Sequence, residues 1–259
     1  MTLHLGTSGW QYADWRERFY PKGLRQGLWL RHYAGEFATV EINNSFYRLP
    51  PKETFEKWAA ETPERFVFCP KVSRYLTHMK KLKDPQEPVE RFMNAARGLG
   101  AKLGPVLLQL PGNFKAQPER LDETLSLFGD DVRVAVELRH ESWFTNDVRR
   151  ILMRHRAALV WADRLEGSQG PTWRTADWAY FRFHEGAGAP HPCYRPRTLA
   201  VWAEQIRATW ADHEDAWVFF NNDPGGCAIT DARVFSGIWE QAAPRSTAGA
   251  GNPALEHSR

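Results

Sequence analysis

Short apolar runs that end in polar residues recur along the chain. In residues 134–144, VAVELRHESWF, the apolar residues at 134–136 and 138 show little alternation, and Glu137, Arg139 and His140 stand at the end of the run. A strand buried on both faces of a parallel sheet has this character. The same pattern occurs in residues 3–8, 39–47, 66–71, 106–111, 158–163, 180–184 and 217–223. The chain therefore contains eight candidate strands.

Amphipathic helical patterns lie between most of these runs. Trp29, Tyr33 and Phe37 form one apolar stripe, and further helical patterns cover residues 89–96, 121–128, 145–155, 199–210 and 228–239. Eight strands alternating with helices predict a single (β/α)8 TIM barrel over residues 1–242. A doubly wound sheet would also satisfy the alternation, but its usual GxGxxG turn after the first strand is missing. Residues 243–259 are small, polar and unpatterned, which predicts a disordered tail.

The composition limits which cellular compartment and which binding partners are expected for the protein. The net charge of +3 lacks the basic excess of a dedicated nucleic-acid module. Three scattered cysteines without CxxC spacing argue against a disulfide framework and a structural zinc site, and favour a reducing cytoplasm. The chain shows no export signal and no run long enough to span a membrane, so no membrane partner is expected. Twelve tryptophans suggest either heavy core packing or a groove that stacks rings.

If the strands close into a barrel, the polar residues that follow them meet at its C-terminal face, where TIM-barrel active sites lie. The candidate catalytic residues are Glu41, Glu137, Asp163 and His184. The candidate substrate-binding residues are Tyr12, Asn43, Lys71, Gln109, Arg139, Trp143, Arg182, Asn221, Asn222 and Asp223. Acids, cations and amides around one opening predict a pocket for a small polar or anionic ligand.

Each candidate also has a structural interpretation. Glu41 could form a buried ion pair with Arg48 or Arg182. Glu137 and Arg139, two residues apart on one strand, could orient a substrate or neutralise each other, and Asp163 is expected beside them. His184 shares a strand face with Arg182, and a cationic neighbour favours the neutral imidazole.

Two further segments could bind anions. Gly225 and Gly226 follow the last strand and precede a helix, where backbone N–H groups could hold a phosphate, or could simply form a turn. A basic segment follows the third strand and could extend an anion site or remain solvated surface. Its members are Lys71, Arg74, His78, Lys80, Lys81 and Lys83.

Several motifs, taken together, resemble the YecE-like family, a domain of unknown function. They are GTSGWQYADW, VEINNSFYRLP, KVSRYLTH, LLQLP, VELRHESWF, RFH and FFNNDPGGCA, spread over residues 3–240 in order. The resemblance implies a TIM barrel but brings no reaction. The family's motif mostly reads Glu-Phe-Arg or Glu-Val-Arg before a variable residue, so His140 is not a family position.

The residues leave three functions open. The first is a hydrolase or lyase in which carboxylates perform acid–base work on an anionic or sugar-like substrate. The second is a nucleic-acid binding or metal-dependent processing protein, with exposed aromatic rings above the basic segment. The third is a non-catalytic metabolite-binding protein. No cofactor is predicted, although the acids and His184 could bind a divalent metal, and the sequence leaves the oligomeric state open.

Overall fold

All eight candidate segments form strands, with one of them divided in two. The computed structural model describes residues 1–164, 170–210 and 215–242; the predicted tail, residues 243–259, lies outside these ranges. The strands are β1 (Thr2–Thr7), β2 (Thr39–Ile42), β3 (Val67–Pro70), β4 (Val106–Gln109), β5 (Val134–Glu137), β6 (Ala158–Leu159), β7 (Trp161–Asp163), β8 (Trp178–Phe183) and β9 (Asp215–Phe220). Residues 158–163 were expected as one strand but are interrupted at Val160.

Helices follow most strands, as the apolar stripes predict. They are α1 (Trp29–Ala34), α2 (Asn44–Tyr47), α3 (Lys52–Ala60), α4 (Gln86–Ala96), α5 (Pro118–Ser126), α6 (Asn146–Arg154), α7 (Pro196–Trp210) and α8 (Cys227–Gln241). The sequence pattern missed α2 and α3. Thr145 caps α6 by accepting a hydrogen bond from the Val148 N–H, which satisfies one of the free donors of the first turn.

The strands are parallel, but their hydrogen bonds divide them into three sheets rather than one closed barrel. The sheets have the orders β1-β9-β8-β7, β2-β3 and β4-β5-β6, with every pairing between these strands parallel. The structure therefore confirms an α/β fold with parallel sheets, and the closed (β/α)8 barrel of the sequence analysis is not confirmed.

The argument from cysteine spacing against a disulfide was wrong. Cys193 and Cys227 form a disulfide with an S–S distance of 2.02 Å. Their separation of 34 residues gives no local motif, and only the fold brings the loop after β8 to the start of α8. Disulfides are typical of oxidising compartments, so the cysteines no longer support a cytoplasmic location. Cys69 is fully buried in the core.

No helix of the described residues is long and apolar enough to cross a membrane.

Candidate active site

One apolar cluster consists almost entirely of strand side chains, and it fixes where the polar residues lie. We call it the strand cluster; its buried members include Cys69, Leu107, Ala135, Ala162, Tyr180 and Phe219. Because side chains alternate along a strand, residues two positions further on point in the same direction. These residues are Lys71, Gln109, Glu137, Arg164, Arg182 and Asn221. A polar layer therefore follows directly on the apolar strand cluster.

Arg182 is the centre of this polar layer. Its side chain is 1% exposed and joins two buried glutamates. Arg182 Nε and Nη2 donate to the Glu41 carboxylate at 2.9 and 2.7 Å, and Nη1 donates to Glu137 Oε2 at 2.5 Å. The Tyr180 hydroxyl also donates to Glu41, at 2.8 Å. The sequence analysis gave Arg48 and Arg182 as possible ion-pair partners of Glu41, and in the structure the partner is Arg182.

Glu137 accepts hydrogen bonds from several further donors. Gln109 Nε2 and Arg139 Nε lie 2.9 Å from its two carboxylate oxygens, and Arg164 also donates to it. Burial would raise the pKa of Glu137, but Arg182, His184 and Arg139 together hold it well below its ordinary value. The group therefore remains a carboxylate at neutral pH and can hold cations in position without accepting a proton.

His184 is neutral, as the sequence analysis expects. Burial and the Arg182 charge lower its pKa to about 4. Its Nδ1 lies 2.9 Å from Asn221 Nδ2, and its Nε2 lies 3.6 Å from Glu137 Oε1. With Asn221 Nδ2 as the donor, Nδ1 accepts and the proton lies on Nε2, which faces Glu137 Oε1 and also lies 3.4 Å from Arg182 Nη1. The ring orientation is thus fixed by neighbours on two strands.

A cavity of about 680 Å³ opens on this polar layer. Most of the predicted binding residues line it: Tyr12, Asn43, Lys71, Gln109, Arg139, Arg182, Asn221 and Asp223. The basic segment contributes Arg74 and His78, whereas Lys80 pairs with Asp84 and Lys81 donates to the Asn113 carbonyl. Glu41, Glu137 and His184 are bonded behind the cavity wall through Arg182.

Lys71 and Asp223 are the two cavity groups with pKa values shifted toward neutrality. Burial and the Arg182 charge lower the pKa of the Lys71 ammonium to about 7, against the opposing pull of the glutamates. Burial, with the charges of Asp14 and Glu41, raises the pKa of Asp223 to about 7, although the nearby Tyr12 hydroxyl acts to lower it. No ion pair joins Lys71 and Asp223, although the structure describes both side chains. Each can therefore gain or lose a proton near pH 7.

Three predicted site residues lie elsewhere. Asp163 points away from Glu137, since Ala162 and Arg164 face the strand cluster; Tyr194 and Trp202 lie beside its carboxyl and act to lower the pKa, but burial raises it. Trp143 is fully buried, and its Nε1 donates to the Phe114 carbonyl at 2.7 Å. The prediction that Asp163 and Trp143 lie at the opening was wrong. Asp163 had been assigned to the wrong face of its strand, and Trp143 to an exposed loop.

The third is Asn222, in the glycine loop. Asn222 is buried and donates to Asp231 at 2.7 Å, away from the cavity. The Gly225 N–H donates to Asp14 Oδ2 at 2.9 Å, so the protein's own carboxylate takes the place proposed for a phosphate. Gly225 and Gly226 have φ of +71° and +80°, which explains the glycines as a turn requirement. The turn interpretation is favoured.

Sequence reasoning missed Arg164 and Tyr180, which contact Glu137 and Glu41. Tyr180 precedes Arg182 by two residues, so strict alternation would have found it. Arg164 follows the interrupted segment 158–163, where the alternation was hidden among apolar residues on both faces.

Among the residues that the structure describes, no group of three or more His, Cys, Asp and Glu side chains is arranged to hold a metal ion. Glu41 and Glu137 both accept hydrogen bonds from Arg182. The positive charge of Arg182 would oppose the binding of a metal cation between them.

The shifted groups predict an unusual pH dependence of stability. Between pH 7 and the ordinary lysine value near 10.4, the unfolded chain binds a proton at Lys71 that the folded protein does not, so stability rises with pH. Between about pH 4 and 7 the folded protein binds the extra proton at Asp223, so stability falls as pH rises. We expect Lys71→Met to stabilise the protein most at or below pH 7, by roughly 1–3 kcal/mol, with the gain shrinking toward pH 10.

Urea unfolding at pH 5, 7, 9 and 10 measures this, with Lys22→Met as an exposed control. A gain from Lys71→Met that does not change with pH would contradict the lowered pKa of Lys71.

Comparison with known proteins agrees with the motif resemblance. The profile of the family described as "Protein of unknown function DUF72" matches residues 4–254. UPF0759 protein YunF of Bacillus subtilis is 26% identical over 89% of this chain and 92% of its own length. UPF0759 protein YecE of Escherichia coli K12 is 28% identical over 55% of this chain and 50% of its own.

Among solved structures, a DUF72 family protein of Thermotoga maritima is 29% identical, with a TM-score of 0.78 over 93% of this chain and all of its own. The YecE-like resemblance is thereby confirmed, and the chain belongs to the DUF72 family.

Proposed function

We propose that this protein is an enzyme of the lyase or hydrolase type that transfers protons to and from a small anionic, polar substrate in the cavity. The observation that carries the proposal is the pair of cavity groups, Lys71 and Asp223, whose pKa values both lie at about 7. General acids and bases work best when their pKa lies near the operating pH. Buried groups shifted this far, and facing one cavity, are more typical of active sites than of structural ion pairs.

The proposed roles differ from those of the sequence analysis, in which the two glutamates were candidate catalytic residues. Glu137, with its pKa held low, and Glu41 position Arg182, Arg139 and Arg164, while Asp223 and Lys71 exchange protons. Arg139 and Arg74, both on the cavity wall, attract the anionic part of the substrate. His184 stays neutral and fixes Asn221 beside the ligand.

Unpartnered polar atoms support a ligand in this cavity. Asn43 Oδ1 and Asp223 Oδ1 are buried, and neither has a hydrogen-bond partner among the described residues. Both residues line the cavity. Because buried polar atoms are nearly always satisfied in native proteins, these two call for a donor on a bound molecule or a water.

We also propose that the strands form one barrel-like wall whose ladder is interrupted between the sheets. The backbone bridge from Lys71 to Leu107 links β3 to β4, and the Val160 N–H donates to Val136 O at 2.9 Å beside β6. A Cβ on Gly6 of β1 would stand 2.2 Å from the Thr39 carbonyl of β2, so this glycine allows the two strands to approach. Such a wall gathers the strand ends into one cup.

The nucleic-acid alternative needs exposed stacking rings, and the tryptophans do not provide them. Nine of the twelve are buried, and the other three are half-buried. Tyr47 is 70% exposed but stands at the rim of the cavity. This placement favours a small ligand over an extended strand, and leaves nucleic acid, with or without metal, as an outcome of the test.

A thermal-shift screen tests the proposal. It should contain sugar phosphates, hydroxy acids, keto acids and single-stranded oligonucleotides. A ligand at about 100 times its Kd adds about 2.7 kcal/mol, which raises the Tm by roughly 5–10 °C for a chain of this size. A response to small anions supports the proposal, whereas a response to oligonucleotides alone would overturn it.

Arg139→Met provides the matching variant. We expect the Kd of the anionic ligand to rise roughly 10- to 100-fold, because a charge-assisted contact contributes about 1.5–3 kcal/mol. Arg150→Met, which removes an exposed cation of α6 remote from the cavity, should leave the Kd unchanged. Calorimetric titration measures both, and equal affinity for the parent and Arg139→Met would exclude Arg139 from anion binding.

A further inference from the structure

The backbone of Lys71 is held firmly at the end of β3. Its N–H donates to the Ile42 carbonyl at 3.1 Å, and its own carbonyl accepts a hydrogen bond from Ser45 Oγ at 2.7 Å. It also bridges to Leu107 of β4. The side chain that starts from this position is buried and lines the cavity.

The Lys71 side chain differs from the other cations of the site. Arg139, Arg164 and Arg182 each donate to a glutamate. Lys71, although only 7% exposed, makes no ion pair or side-chain hydrogen bond with any of the described residues, and its Nζ lies 4.2 Å from the centre of the Phe46 ring. A buried amine that contacts no carboxylate loses its proton more readily than one in an ion pair, because no opposite charge stabilises the ammonium form.

We propose that Lys71 is a nucleophile that forms an imine with the carbonyl group of a small anionic aldehyde or ketone. This inference rests on the proposed function and names its substrate class. The neutral Nζ attacks the carbonyl carbon, a C–N bond forms, and the oxygen takes a proton to give a carbinolamine. Nitrogen loses one proton, the hydroxyl oxygen takes a second proton, and the C–O bond breaks so that water leaves as the C=N bond forms. Amine, carbonyl compound and one proton thus give a protonated imine and water.

The surroundings supply what these steps need. The pKa of Lys71, lowered to about 7, leaves about half of the amine neutral at pH 7. Asp223, with its pKa raised to about 7, can give a proton to the carbonyl oxygen and assist the departure of water. Arg74 and Arg139 on the same wall can hold the carboxylate or phosphate of the substrate. A protonated imine then withdraws electrons from the adjacent carbon, which is the step that lyases exploit.

Reductive trapping tests the inference on the full chain. The protein is incubated at pH 7 with glyoxylate, pyruvate or glyceraldehyde 3-phosphate, reduced with cyanoborohydride, and analysed by mass spectrometry with peptide mapping. We expect an adduct on Lys71 to form at least about 100-fold faster than on any exposed lysine. The reason is that an exposed lysine with a pKa near 10.4 is neutral in only about one molecule in 2,500 at this pH. Lys71→Met should lose this adduct, and Lys80→Met should keep it.

The other outcomes are distinguishable. No Lys71 adduct with any of the three probes, or labelling equal in the parent and Lys71→Met, overturns the imine. If small anions still raise the Tm in that case, the proposed function stands and Lys71 acts by proton transfer alone. If neither adduct nor thermal shift occurs, both proposals fail. Lys71→Arg, which keeps the charge, controls for folding and should also give no adduct.

Discussion

Arg182→Met should lower the free energy of unfolding by about 3–5 kcal/mol, because removal of one partner leaves buried charges uncompensated. In this protein one guanidinium serves two glutamates that are 0% and 1% exposed. Without it, the Tyr180 hydroxyl is the remaining hydrogen-bond donor to the Glu41 carboxylate among the described residues. The loss corresponds to a fall in Tm of roughly 6–20 °C, measured by calorimetry or urea unfolding.

The double variant Glu41→Gln with Arg182→Met separates this explanation from simple loss of packing. Removal of the unpaired acid should recover part of the lost stability, and the two single effects should fail to add. A cost below about 1 kcal/mol for Arg182→Met would mean that the polar layer does not hold the site together.

Asp223→Asn should have the largest effect on turnover. For any substrate that the ligand screen identifies, we expect kcat to fall about 10²- to 10⁴-fold, the range typical of general acid–base catalysis. The amide keeps the shape of the side chain but cannot exchange a proton. The pH profile of the parent should show a limb near pH 7 from Asp223, whose pKa is raised to about 7, and the variant should lose that limb.

Asp231→Asn is the matched control. Asp231 is also buried and has a raised pKa, but it accepts hydrogen bonds from Asn222 and the Tyr194 N–H, away from the cavity. Its replacement should cost stability and leave kcat within a few-fold of the parent. Equal losses of kcat in the two variants would show that Asp223 supports the fold rather than the reaction.

Much of the fold follows from the sequence because strands buried on both faces are nearly continuous apolar runs. All eight runs form strands, and the polar ends of six of them supply half of the residues that line the cavity. The failures have physical causes. The side chain of Asp163 was assigned to the wrong face of its strand, because a run that is apolar on both faces does not show which side chains point to which face. The Cys193–Cys227 disulfide was missed because the two cysteines are distant in sequence and only the fold brings them together.

The roles within the site needed coordinates. Sequence alone left open whether Glu137 and Arg139 orient a substrate or neutralise each other. The structure shows three arginines donating to Glu137, which makes it the anchor of the cations. Lys71 was predicted only as a binding residue, because the sequence does not show that its side-chain amine is buried without a carboxylate in contact.

The central claim is that Lys71 loses its proton near neutrality while facing the cavity. Its apparent pKa can be measured in the parent protein by trace labelling with acetic anhydride from pH 5 to 11, followed by peptide mapping, with exposed Lys22 as an internal reference for reagent activity. The account predicts that labelling of Lys71 is half-maximal at a pH of about 7. Half-maximal labelling near pH 10.4, the ordinary lysine value, would contradict it.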